Sequence, residues 1–406
     1  MSQRPRVKVV GAGISGLSAA YFLLEKGFDV EVFESEDRVG GLIKTTKLNE
    51  GLVESAANAF ISSALLESIA QKISCELVPT LKVARKRFIY VNSKPRRWPL
   101  SFFETIGFIL RLPFIKFRKP FPGETVKDWG ERSLGAAATS KLIAPALQGI
   151  YAGDITRMSA TLIFGRYFTK ENVQQKAPVK NRGSVSPLNG MSSFVNGLKT
   201  YLISQGVKIH ESDKVSSSQL KQWSGETPVV VATSLPASAD LMKDIEPKFS
   251  EELSKMEMLP LLSCTAFFKE KNVNLKGFGV LFHPSEKFNS LGMLFNHSIF
   301  PNRSHLRSET WILKSRETDY SKIKDLVLED HFKLHGFKEE AIEFLVNSWP
   351  KALPHYTLEL EKFIHSDRIN FLEKKNIYLT GNYLGHLGLS RIIEANRKLA
   401  ERISQQ

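Results

Sequence analysis

The clearest chemical spacing lies at the start of the chain, where Gly11, Gly13 and Gly16 stand in Gly-Ala-Gly-Ile-Ser-Gly between an apolar strand and an apolar helix. Glycines at these intervals let backbone approach a pyrophosphate. A helix opening at Ile14 and Ser15 aims unpaired N–H groups and a partial positive charge at it. Glu34 closes the next strand, with Ser35 beside it, where a carboxylate accepts from ribose hydroxyls. Arg38, Gly40, Gly41 and Leu42 follow, and two glycines beside a cation extend the phosphate-contacting surface. The pattern reads as a dinucleotide site, and the second glycine pair favours FAD over a nicotinamide nucleotide. His331 and His335 are one helical turn apart and could in principle share a metal. No third ligand is evident, so an exposed helix face is expected and no metal is assigned. Cys75 and Cys264 are far apart, which excludes a disulfide framework or a thiolate metal site and suits a reducing compartment. No nucleophile or triad stands out.

The elements that must hold this chemistry are readable around it. Residues 7–10 form a strand, and Leu17, Ala20, Tyr21 and Leu24 recur at helical spacing until Gly27. Residues 28–34 form a second buried strand, which begins a doubly wound parallel sheet. Residues 98–165 show apolar helical patterns broken by prolines, as a separate helical subdomain would. Ser192 or Ser193 caps a helix with Phe194, Leu198 and Leu202 on one face, and residues 207–210 and 228–233 read as strands. Residues 261–300 alternate short apolar runs with Gly and Pro, as an antiparallel sheet does. Residues 321–346 read as a helix pair broken at Gly336. A last strand at 377–380 precedes a helix with Ile392, Ile393, Leu399, Ala400 and Ile403 on one face. If it starts near Leu389 or Ser390, that helix is expected to point its positive end at a flavin N1 and C2 carbonyl, with Leu387, Gly388 and Leu389 touching the ring through backbone.

With 406 residues, 42% hydrophobic and 24% charged, the chain is an ordinary globular protein of two to three domains, which excludes disordered, collagen-like and coiled-coil classes. Its net charge of +14 is uneven: residues 82–119 hold eleven basic residues and one acid. Trp98, Phe102, Phe103, Ile106, Phe108, Ile109, Phe114 and Phe117 interleave with those cations, the pattern of an interfacial helix on anionic lipid. No recognised nucleic-acid module is present, so nucleic acid is not an expected partner. The N-terminus lacks a signal-peptide layout and no stretch reads as a membrane span, so the expected location is cytoplasmic, peripheral on the inner face of the cell membrane.

Beyond the two glycine motifs, the sequence carries Gly51-Leu-Val-Glu-Ser-Ala-Ala-Asn-Ala-Phe60, Lys86-Arg87-Phe88-Ile89-Tyr90, Gly149-Ile-Tyr-Ala-Gly-Asp154, Gly277-Phe-Gly-Val-Leu281, Trp349-Pro-Lys-Ala-Leu-Pro-His-Tyr356 and Thr380-Gly-Asn-Tyr-Leu-Gly385. In order and spacing these resemble the flavin-containing amine oxidase superfamily, and within it the oxygen-dependent protoporphyrinogen oxidases. The resemblance implies an α/β fold: an FAD-binding Rossmann-like domain from residues 1–80, 187–245 and 369–406, a mixed-sheet substrate domain at 246–368, and an inserted helical, basic, membrane-associating domain at 81–186. It implies non-covalent FAD held also by Ala57, Asn58, Val215, Trp349, Gly381 and Asn382. The implied reaction is six-electron oxidation of protoporphyrinogen IX in haem synthesis, by hydride transfer to flavin N5 with dioxygen as acceptor. The coproporphyrinogen III reaction, an amine oxidase or carotenoid desaturase, and a non-catalytic flavin- or porphyrin-carrying protein stay open. Arg87 is implied to face a propionate, and Phe278 and Leu281 to sandwich the tetrapyrrole. A hand-off of product to ferrochelatase is the implied partner contact. The sequence departs from the family pattern at Ala56-Ala57, His386 and Arg391-Ile392.

Overall fold

The computed structural model describes residues 4–169, 179–269, 273 and 275–405. A five-stranded parallel sheet is built from chain segments far apart in sequence. Its order is Lys208–His210, Asp29–Phe33, Arg6–Val10, Val229–Val231 and Ile377–Leu379. Val7, Val9, Val32 and all of Val229–Val231 are buried, as expected for strands covered on both faces. The helix Ile14–Glu25 is apolar nearly all round and buried over most of its length, closed on one side by the C-terminal helix Leu389–Ser404. Asn396 of that helix ties the pair together, donating to Ser15 O at 2.8 Å and meeting Ser18 Oγ at 2.7 Å.

The second sheet has seven strands in the order Glu343–Pro354, Met258–Phe268, Arg307–Leu313, Ser290–Leu294, Gly279–Phe282, Arg87–Val91 and Lys94–Arg96. All neighbours are antiparallel except Gly279–Phe282 with Arg87–Val91. Two expectations change here. Residues 87–96, assigned by sequence to the helical insert, are strands of this sheet, so the insert proper follows them. The helix pair expected over 321–346 is one helix, Tyr320–His335, followed by a strand; Gly336 (φ 80°) ends the helix. Glu343–Pro354 contains Pro350 and pairs with Met258–Phe268 from Phe267↔Glu343 to Met258↔Pro354, so long-range pairing overrides any helical pattern.

A third expectation fails on the Tyr320–His335 helix. His331 and the His335 side chain are buried, not exposed, and a third metal-type donor, Glu309, faces them from the strand Arg307–Leu313. The sequence pattern could not bring Glu309 across that distance.

The helical insert packs on itself through Leu100, Trp129, Leu134, Ala138 and Ala160, with Trp129 stacked 4.4 Å from Phe164. Its first helix, Phe102–Arg111, is locked by a capping box between Ser101 and Glu104 yet buries none of its residues. Phe102, Phe103 and Phe117 are 74%, 82% and 75% exposed. No helix among the described residues is long and apolar enough to cross a membrane.

Candidate functional site

The first strand ends at Gly11 (φ 100°), and Gly13 caps the following helix with backbone alone. A Cβ on Gly16 would lie 1.7 Å from Gly11 O, and one on Gly11 would lie 2.8 Å from Ala232 O. The turn therefore closes only with glycine, which leaves the helix N–H groups open toward a cavity. Glu34 braces this turn: its carboxylate accepts from Ala12 N at 2.7 Å and Glu36 N at 3.0 Å. Gly40 (φ 110°) donates to Ala12 O at 2.9 Å and so brings the second glycine pair against the first.

One cavity of about 1800 Å³ runs from this turn across to the second sheet. Its wall includes Gly11, Gly13, Ile14, Ser15, Glu34, Ser35, Gly40, Gly41 and Leu42 from the first motifs, with Ala57, Asn58 and Val215 beside them. Trp349, Gly381, Asn382, Leu387, Gly388 and Leu389 line it from the far segments. Trp349 is held by its indole Nε1, which donates to Ser55 O at 2.9 Å, and the sheet is irregular opposite it between Leu259 and Leu261. Gly388 caps the C-terminal helix without a side chain, so a second helix N-terminus faces the cavity. A glycine cradle, a ribose-type carboxylate and two open helix N-termini around one elongated cavity fit an FAD-sized dinucleotide.

Several expected residues do something else. Gly16 lies behind the cradle and provides close packing. Arg38 is not on the cavity wall: its guanidinium donates to Gly41 O at 2.7 Å and to Val39 O and Ile43 O at 3.3 Å, bracing the glycine loop from behind. Arg87 is exposed on its strand, 4.5 Å over the Phe278 ring, and neither residue lines the cavity. Leu281 is also outside the wall, packed where a Cβ on Gly149 would meet it at 2.2 Å. The shared strand register explains this, since Arg87 pairs with Gly279 in the sheet's outer half.

The cavity's other end has walls that residue spacing did not assign. Leu261, Leu294 and Ile312 come from the seven-stranded sheet, and Leu147, Ile163 and Phe164 from the insert. Arg166, Lys351, Arg391 and Lys398 add cations. The quoted Gly149-Ile-Tyr and Trp349-Pro-Lys motifs were the available signals for this end. His386 also lines it; burial, then Lys398 and Arg166, hold its imidazole below the usual 6.5, favouring the neutral form. Behind the wall, burial pushes Tyr383 up to about 12, against the hydrogen bond to Ser238 at 3.1 Å.

Residues 14–395 match the family described as flavin containing amine oxidoreductase. Protoporphyrinogen oxidase 2 of Arabidopsis thaliana is 26% identical, covering 98% of this chain and 93% of that protein. Coproporphyrinogen III oxidase of Bacillus subtilis (strain 168) is 22% identical, covering 97% of each. A solved structure from Exiguobacterium sp. 255-15 shares the fold with a TM-score of 0.78, at 18% identity over 99% of both chains. The chain therefore belongs to the flavin containing amine oxidoreductase family and is an FAD-dependent oxidoreductase.

Proposed function

We propose that the chain oxidises a porphyrinogen, removing six electrons from protoporphyrinogen IX to give protoporphyrin IX, with dioxygen as the terminal acceptor. The observation that carries this reading is the size of the cavity and the lining beyond the glycine turns. The cavity of about 1800 Å³ exceeds the roughly 300–1,000 Å³ of a single-ligand pocket, and its far end is apolar with cations at intervals. That suits a broad, carboxylated macrocycle held beside a dinucleotide. The names of the Arabidopsis and Bacillus relatives support the same reaction class.

The residues that would hold FAD are the Gly11–Gly13 turn and the helix start at Ile14 and Ser15 for the pyrophosphate, Glu34 for ribose, and Leu387, Gly388 and Leu389 for the ring. When bound, FAD supplies the two-electron oxidant that accepts hydride from the macrocycle. The chain's part is orientation and electrostatics. Apolar walls from Leu261, Leu294, Ile312 and Phe164 exclude water and hold the macrocycle in place, while Arg166 and Lys351 meet its carboxylates. The start of the Leu389–Ser404 helix, with Arg391, favours negative charge at its end of the cavity. His386, held neutral by burial, adds no charge at that end.

Coproporphyrinogen III is the second reading. It carries four carboxylates, and the wall offers more cations than the two named above, Arg391 and Lys398 among them. The exposed Phe102–Arg111 helix and its basic surroundings support peripheral attachment to an anionic membrane, where an oily substrate and a ferrochelatase hand-off would be at hand. Anaerobic mixing of the FAD-loaded protein with each porphyrinogen tests the reaction. Bleaching of the flavin band is expected with protoporphyrinogen IX; bleaching by coproporphyrinogen III alone selects the second reading, and bleaching by neither refutes both.

A further inference from the structure

The i, i+4 histidines of the Tyr320–His335 helix turn inward against the strand Arg307–Leu313, away from the flavin cavity. One donor atom from each of Glu309, His331 and His335 lies within 4.8 Å of the others. His335 Nε2 is 3.0 Å from Glu309 Oε1, and His331 Nε2 is 4.0 Å from Glu309 Oε2. Yet neither His335 Nε2 nor Glu309 Oε2, both buried, makes a hydrogen bond. A ring nitrogen this close to a carboxylate, with no aligned N–H between them, sets electron-pair donors against one another. That arrangement is stable when a cation shares the pairs.

The charges point the same way. Glu309 and Glu339 meet a single guanidinium: Arg307 Nη1 donates to Glu309 Oε1 at 2.8 Å, and Nη2 donates to Glu339. Two carboxylates against one guanidinium leave the buried cluster one positive charge short before the imidazoles are counted, which is costly. A proton corrects the charge but engages one ring nitrogen. A divalent ion corrects the charge and takes an electron pair from all three groups, and two imidazoles with one carboxylate are a zinc-type donor set. Ligands at about 2.0–2.2 Å from zinc stand roughly 3.3 Å apart, so the donors, now within 4.8 Å, close by about 1.5 Å at most. His331 Nε2 exchanges its 3.4 Å contact with Arg307 Nη1 for the metal, and the guanidinium stays on its carboxylates, orienting Glu309. A water-derived fourth ligand completes the shell and offsets the added charge.

Phe268 stacks 4.5 Å from the His331 ring, and Phe337 closes the other side at 5.6 Å and 5.9 Å from the two imidazoles. Two aromatic walls around a buried donor set are the character of a structural site. We propose that Glu309, His331 and His335 bind one divalent metal of zinc type, clamping the end of the Tyr320–His335 helix to the substrate domain's sheet.

The test uses tag-free, FAD-loaded full-length protein. Metal content by mass spectrometry is measured after purification and again after chelation and re-addition of zinc, with melting curves at each stage. Expected are one tightly held equivalent in the wild type, a melting point raised by several degrees on zinc addition, and loss of both in His335→Gln and Glu309→Gln. No retained equivalent, with zinc leaving the wild-type melting curve unmoved, overturns the proposal even where the variants fail to fold. These readouts use no porphyrinogen, so they stand or fall apart from the proposed reaction.

Discussion

The cradle can be broken in two physically different ways, and the contrast tests where the pyrophosphate lies. A Cβ on Gly16 would be 1.7 Å from Gly11 O, which is 1.3 Å inside the 3.0 Å below which such contacts essentially do not occur. Gly16→Ala must push the helix off the turn, and overpacking of this kind costs the apoprotein about 3 kcal/mol. The displaced N–H groups lose about two charge-assisted hydrogen bonds to phosphate, each worth ~1.5–3 kcal/mol, so FAD affinity falls roughly 10²- to 10⁴-fold. Gly13 differs. Its φ of −68° is ordinary, and a Cβ there meets nothing within 4 Å, because it projects into the cavity. Gly13→Ala should leave apoprotein stability within about 0.5 kcal/mol of wild type while still losing FAD. Calorimetric titration of apoprotein with FAD, paired with denaturant unfolding of each apo variant, reads both quantities. Wild-type FAD affinity in Gly13→Ala refutes the placement of the pyrophosphate at this turn, and unchanged apo stability in Gly16→Ala refutes the close approach.

Three further outcomes follow from the same geometry. Arg303 is buried and donates to Glu54 at 3.0 Å and to Pro187 O at 3.0 Å, joining the cofactor segment to the second sheet, so Arg303→Met strands a buried carboxylate and should cost about 3–5 kcal/mol by denaturant unfolding; a loss under about 1 kcal/mol contradicts it. Replacing Phe102 and Phe103 by Ser removes exposed apolar surface without touching the core, so flotation with anionic liposomes should drop several-fold at unchanged melting temperature, and undiminished flotation rejects the helix as the membrane contact. Burial holds His297 and His386 below 6.5, so the folded state binds fewer protons than the unfolded one. Their contribution is complete above 6.5 and lost as pH falls below it; His297→Gln should flatten the decline in unfolding midpoint between about pH 7 and pH 5, and an identical slope would remove His297 from the account.

The glycine turns were legible because their signal is local: Gly11, Gly40 and Gly41 are fixed by backbone conformation within a few residues, and their positive φ values express that need. Arg38 sits in the same motif, but its direction depends on carbonyls made available only after the loop closes, so its brace was invisible. Arg87 and Phe278 were carried by motif position, while the parallel pairing of their two strands decides which face they take. The burial of His331 depends on Glu309 and Phe268, brought together by strand pairing over tens of residues. Helical periodicity alone places a histidine pair on a stripe and cannot say what covers it. Residues 343–354 likewise became a strand because Met258–Phe268 offered an unpaired edge.

The parallel sheet draws its last strand from Ile377–Leu379, and the cavity takes part of its wall from Gly381 through Leu389. During vectorial synthesis the early glycine turn leaves the ribosome hundreds of residues before its partners do. Until then the nascent chain has a half-built nucleotide cleft with one open sheet edge. The wall of the nucleotide cleft is therefore complete only once residues 377–389 have joined the early glycine turn.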